Sequence, residues 1–175
     1  MRRPVDAARI REFMRALARE SRSPHRVYFT GGVTAVLMGW RSSTIDIDIK
    51  IEPEGEGLLR AIPEIKEKLG VNVELASPDH FIPELEGWRD RSIPIGGEGS
   101  VEFAHYDPYA QALAKIERGH RQDLEDVGEL FARGLVDPGR LQEHFRSIEP
   151  FLYRYPAVDP RAFREAVRRA AERAP

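Results

Sequence analysis

Between Thr44 and Ile51 the chain alternates strictly. Ile45, Ile47, Ile49 and Ile51 fall on one side, and Asp46, Asp48 and Lys50 on the other. Strand side chains point to opposite faces in turn, so this run reads as a half-buried strand with an acidic outer face. Its apolar face demands a covering layer. The residues before it are equally ordered. Val27-Tyr28-Phe29-Thr30 is a strand signal, rich in branched and aromatic side chains. Gly31-Gly32 turns the chain, and Val33, Val36 and Leu37 suit a short helix ending near Gly39. Phe29 to Lys50 therefore reads as strand, glycine turn, helix and strand.

The same patterning extends to the rest. Residues 5–20 predict a helix, with Ile10, Phe13, Met14 and Leu17 at helical spacing. Leu58 to Leu69 predict another, stopped by Gly70. Val71 to Leu75 read as a strand, and Pro78, Pro83, Gly87 and Trp88 mark a long loop. Ser92 to Ile95 and Val101 to Ala104, joined by Gly96-Gly97-Glu98-Gly99, predict a hairpin. The remainder reads as four helices. Three start on Asp-Pro, at Asp107-Pro108, Asp137-Pro138 and Asp159-Pro160. Asp accepts from the orphan amides of a first turn, and proline has no amide to satisfy there. The fold class is therefore α+β: a small mixed β-sheet with packed helices, then a helical C-terminal region. The boundaries are 1–106 for the α/β core and 107–175 for the helical region packed on it.

Composition narrows the chemistry. A chain of 175 residues fits one domain or a domain with a helical appendage. Lys and Arg total 27 against 29 Asp and Glu, so no strongly basic nucleic-acid clamp is indicated globally. The absence of cysteine removes disulfides, thiolate zinc sites, iron–sulfur clusters and cysteine nucleophiles. No apolar run approaches the ~20 residues of a membrane span. Met1-Arg2-Arg3-Pro4 lacks the apolar segment of a secretory signal. A cytoplasmic location without membrane contact is the expectation.

Asp46 and Asp48, two apart on a strand, project from one face about 7 Å apart along the backbone. Two carboxylates held that close repel, and a divalent cation is the usual compensation. The Gly31-Gly32 turn opens a helix with unobstructed backbone amides, which suit a phosphate. Cations beside a phosphate cradle are the parts of a phosphoryl- or nucleotidyl-transfer site. Either feature alone is ordinary structure; their order and spacing together carry the reading.

Gly31-Gly32 followed by Thr44-Ile45-Asp46-Ile47-Asp48 resembles the signature of the nucleotidyltransferase superfamily, the polymerase-beta-like fold. The run from Tyr28 to Ala35 (YFTGGVTA) is closer still to DUF6036-type proteins, related to the AbiEii and MenT nucleotidyltransferase toxins. So are Val73 to Pro83 (VELASPDHFIP), Ala114 to Gly119 (AKIERG) and Gln122 to Val127 (QDLEDV). The resemblance covers roughly residues 25–150. It implies Asp46 and Asp48 as the metal-binding pair, Gly31 and Gly32 as the phosphate-contacting turn, and Thr44 as a phosphate contact or an orienter of Asp46. It calls for a third carboxylate on a later strand. Glu74 is the choice and Glu102 the reserve. Arg41 stands where it could contact nucleotide phosphate or pair with an Asp. Lys115 and Asp123 match catalytic positions of the related toxins, Lys115 at the triphosphate.

The implied activity is a metal-dependent nucleotidyl transfer from a nucleoside triphosphate, with Mg²⁺ or Mn²⁺, to an RNA (a tRNA 3′ end is one candidate) or a protein hydroxyl. A toxin role with a cognate antitoxin protein extrapolates from the same group. The alternative is a non-catalytic nucleotide-sensing or protein-binding module on this fold. A metal-dependent phosphoesterase is a third reading. The five histidines show no metal spacing and are expected mostly at the surface. Trp40 and Trp88 are expected to pack in core or loops. The Arg-rich stretch from Arg161 to Arg173, interrupted by Glu165 and Glu172, is expected to be a solvated helix face.

Overall fold

The computed structural model describes residues 3–175. The chain divides into two compact units. One takes in the described residues through Ser77 together with Ser92–Tyr106. The other takes in Pro78–Arg91 and Asp107–Pro175.

The first unit runs α1 (Ala7–Glu20), β1 (His25–Thr30), α2 (Gly32–Met38), β2 (Asp46–Glu52), α3 (Glu56–Leu69) and β3 (Asn72–Leu75), then β4 (Ile93–Glu98) and β5 (Val101–His105). The five strands form one mixed sheet in the order β3-β2-β1-β5-β4. β1 pairs antiparallel with β2 and parallel with β5. β3 lies parallel to β2, reached through α3, and β4 and β5 make the hairpin. The α+β class read from the sequence is the one observed.

The apolar face of the sheet is Val27 and Phe29 of β1, Ile47, Ile49 and Ile51 of β2, Val73 of β3, and Val101 and Phe103 of β5. Phe13, Met14 and Leu17 of α1, Val33 and Val36 of α2, and Leu58, Ile62 and Ile65 of α3 belong to the same buried cluster. Phe29 stacks on Phe103 with ring centroids 5.7 Å apart. Burying each large side chain contributes roughly 1.5–3 kcal/mol, so the layer fixes which face β2 turns outward.

The strand begins later than the alternation predicts. Ile45 is 68% exposed and outside the core. Thr44 pairs instead with Val5, through Val5 N–H to Thr44 O at 2.7 Å and Thr44 N–H to Val5 O at 2.9 Å. The β1–β2 ladder starts only at Asp48 opposite Thr30.

The second unit holds α4 (Trp88–Arg91), α5 (Pro108–Arg118), α6 (Arg121–Ala132), α7 (Pro138–Ile148) and α8 (Pro160–Glu172), with 3-10 turns at Pro78–His80 and Glu149–Arg154. The stretch expected as a plain loop thus carries a 3-10 turn and a helical turn, with Ile82, Leu85 and Trp88 buried. All three Asp-Pro starts cap helices. Asp107 accepts from Tyr109 N–H, Asp137 from Arg140 N–H, and Asp159 from Arg161 and Ala162 N–H. Phe163 and Val167 form the buried stripe of α8, with Phe163 edge-on to Phe145 of α7 at 4.9 Å. No helix is long and apolar enough to cross a membrane among the described residues.

Candidate functional site

The polar face of the sheet in the first unit gathers most of the residues that the sequence singles out. Gly31 sits between β1 and α2 with φ +63° and ψ −134°, a conformation L side chains rarely adopt. A Cβ there would lie 2.7 Å from Oδ2 of Asp48. Gly32 is closed the same way: its Cβ would overlap Thr44 Oγ1 and come within 3.2 Å of Arg41 Nη1. Gly31 is therefore required by both its backbone and its neighbour, and Gly32 by its neighbours. Asp48, Thr44 and Arg41 press directly on the turn.

Thr44 owes its place to two contacts. Its backbone bridge to Val5 fixes the chain ahead of β2, and its hydroxyl donates to the Asp46 carbonyl at 3.2 Å. The hydroxyl orients the backbone of Asp46, and not its carboxylate. Asp46 and Asp48 are both half-buried, on the same face of β2.

Parallel pairing with β3 sets Asn72 beside Asp46 and Glu74 beside Asp48. The Asn72 amide donates through Nδ2 to Asp46 Oδ1 at 2.6 Å and to Glu74 Oε1 at 3.0 Å. One neutral donor thus spans two carboxylates. Sequence reasoning missed Asn72, because an Asn on a strand carries no periodic signal. The lone indication was its position two residues before Glu74.

Register separates the two candidates for the third carboxylate. Glu102 pairs with Arg26 in the β1–β5 ladder, four residues along β1 from Thr30 and so roughly 13 Å from the level of Asp48. Its carboxylate is bound to Arg26 Nη2 at 2.9 Å. Glu74 is the one adjacent to Asp48. Among the described residues no three His, Cys, Asp or Glu side chains already form a metal-holding group.

Residues 7–165 match the family described as "Nucleotidyltransferase of unknown function (DUF6036)". The chain belongs to the DUF6036 family. No curated protein and no solved structure matches it. The five-stranded mixed sheet with its helices is consistent with a nucleotidyltransferase-like fold.

Lys115 and Asp123 of this DUF6036 chain lie in the second unit, both buried. Lys115 Nζ is 2.7 Å from Asp126 Oδ2 and 3.5 Å from Asp123 Oδ1. Asp123 also accepts from Arg118 Nε at 2.7 Å. Burial disfavours the Asp123 carboxylate, but the Arg118 hydrogen bonds and the charges of Lys115 and Arg118 outweigh it and lower its pKa. Neither side chain is a solvated surface group.

Two histidines depart from the surface expectation. His25 is buried, its ring bonded to Ser23 Oγ at 3.1 Å and Pro53 O at 2.9 Å. His105 Nδ1 lies 3.0 Å from Thr34 Oγ1 of α2, and burial lowers its pKa to about 4. That buried bond ties the helix following Gly31-Gly32 to the end of β5.

Proposed function

We propose that this DUF6036 protein is a metal-dependent nucleotidyltransferase that moves a nucleoside monophosphate from a nucleoside triphosphate to a hydroxyl of RNA or protein. The observation carrying the reading is the packing of Asp48 against Gly31, with Thr44 and Arg41 against Gly32, on the face where Asp46 and Glu74 share Asn72. An acidic pair and a glycine turn thus meet at one place.

The donor set suits a hard cation. Asp46, Asp48 and Glu74 offer only oxygen, and magnesium is commonly held by one or two carboxylates with phosphate oxygens completing its shell. The amide that Asn72 inserts between Asp46 and Glu74 occupies ground where positive charge is wanted. Bound Mg²⁺ or Mn²⁺ would neutralise triphosphate charge and lower the pKa of the attacking hydroxyl. The Gly31 and Gly32 amides would hold phosphate oxygens, and the Arg41 guanidinium beside them would add charge. The acceptor oxygen attacks the α-phosphorus, the bond from that phosphorus to the oxygen bridging to the β-phosphate breaks, pyrophosphate leaves with that oxygen, and the hydroxyl proton passes to solvent. The catalytic parts of Lys115 and Asp123 rest on the resemblance alone. So do the tRNA 3′ end as acceptor and the toxin role.

The test uses each α-labelled nucleoside triphosphate with Mg²⁺ or Mn²⁺ and total RNA, wild type against Asp46→Ala/Asp48→Ala. Label on RNA or on protein, lost in the variant, is the expected result. Nucleotide bound in calorimetry but never transferred would favour a nucleotide-sensing module.

A further inference from the structure

The second unit carries a groove of about 270 Å³ between α6 and α8. Leu124, Val127 and Phe131 line it from α6, Ala166 and Ala170 from α8, and Ile116 from α5. Leu124 is exposed, an apolar side chain left in water at the groove edge.

Gly128 lines the same groove from the interior of α6, one turn after Leu124. A helix-interior glycine costs up to about 1 kcal/mol relative to alanine. A Cβ at Gly128 would meet nothing within 4 Å outside its own helix. No contact among the described residues therefore explains the glycine, and the helix bears its cost without return inside the unit. A bare backbone on the lip of an apolar groove is what a segment crossing close over α6 requires.

Charge indicates the segment's chemistry. Arg118, Arg121, Arg133 and Arg168 are closed onto Asp123, Glu125, Glu129, and Glu165 with Glu172. Arg169 and Arg173, the two cations lining the groove, make no ion pair within 4 Å among the described residues, and the charge of Arg169 also acts on Glu165 of its own helix. The volume falls below the ~300–1,000 Å³ of small-molecule pockets and suits two or three side chains of an apolar stripe.

We propose that this groove docks an amphipathic helix of a partner protein, its apolar stripe filling the channel over Gly128 and its carboxylates meeting Arg169 and Arg173. Rim charges of this kind set partner choice and orientation, while the apolar anchors hold the complex.

The experiment is fluorescence anisotropy on the full chain. The probe is a labelled synthetic helix with leucines at i, i+3 and i+7 and flanking glutamates. A counterpart carries lysines in place of the glutamates. The acidic helix is expected to bind at least about tenfold more tightly than the basic one. Arg169→Glu/Arg173→Glu should reverse that preference, and Gly128→Leu should abolish binding. Gly128→Ala should raise the melting temperature yet weaken the acidic helix severalfold, so a folding defect in the leucine variant leaves the proposal testable. Three results overturn it: no binding at millimolar peptide, equal binding of both helices, or a wild-type affinity in Gly128→Ala. A concentration-dependent dimer in sedimentation, dissolved by Gly128→Leu, would also overturn it by making a second copy the occupant.

Discussion

Gly31 and Asp48 are packed so closely that a single methyl on the glycine would sit 2.7 Å from the carboxylate oxygen. The contact joins the turn after β1 to the middle of the acidic strand. Gly31→Ala meets two penalties: a left-handed φ of +63° and displacement of Asp48. The expected loss of stability is about 1–3 kcal/mol. Nucleotide affinity should fall further than stability, because the displaced group is the one proposed to act. Thermal melts paired with nucleotide calorimetry in Mg²⁺ check this. Unchanged nucleotide binding in a destabilised variant would detach the turn from the site.

Asn72 holds Asp46 and Glu74 with one amide, so its replacement by a carboxylate, the fourth on this face beside Asp46, Asp48 and Glu74, concentrates negative charge on β2 and β3. Asn72→Asp is expected to melt below wild type in chelator and to recover more on Mg²⁺ addition. Asn72→Leu should lose about 1–2 kcal/mol, less than for buried charge-assisted bonds because Glu74 is exposed. Melting temperatures with and without Mg²⁺ decide it. Equal metal shifts in wild type and Asn72→Asp would refute a shared cation position.

Much of this arrangement was legible in the chain. Alternating isoleucines placed Asp46 and Asp48 outward, and Asp107, Asp137 and Asp159 marked their helix starts through local capping alone. What escaped depends on pairing at a distance. Glu74 and Glu102 look alike as isolated strand glutamates, and only the parallel β2–β3 register puts the first beside Asp48. Ile45 breaks its own period because Val5, 39 positions earlier, captures Thr44. The burial of Lys115 arises between α5 and α6, where no single-helix pattern can reveal it.

Lys115 bridges two buried carboxylates, at 2.7 Å to Asp126 and 3.5 Å to Asp123. Lys115→Met removes the ammonium while the acids stay buried, and should cost about 3–5 kcal/mol. Arg121→Ala, which breaks only the exposed pair with Glu125, should cost under about 1 kcal/mol. Urea unfolding of both variants tests the contrast. A mild Lys115→Met would mean the cluster contributes little to folding and would strengthen a catalytic part for the lysine.

His105 remains neutral inside the first unit, with its pKa lowered by burial to about 4 and its ring bonded to Thr34. The unfolded chain takes up the proton near pH 6.5, before the folded chain does. Stability is therefore full above about pH 6.5, falls as the pH drops toward 4, and loses nothing more to this group below that. The folded–unfolded difference corresponds to roughly 3 kcal/mol at most. His105→Gln can keep a polar contact with Thr34 but cannot titrate, so its unfolding free energy should lose this slope between pH 6.5 and 4. Denaturant midpoints measured across that window for both proteins give the answer. Parallel curves would assign the acid sensitivity to other groups.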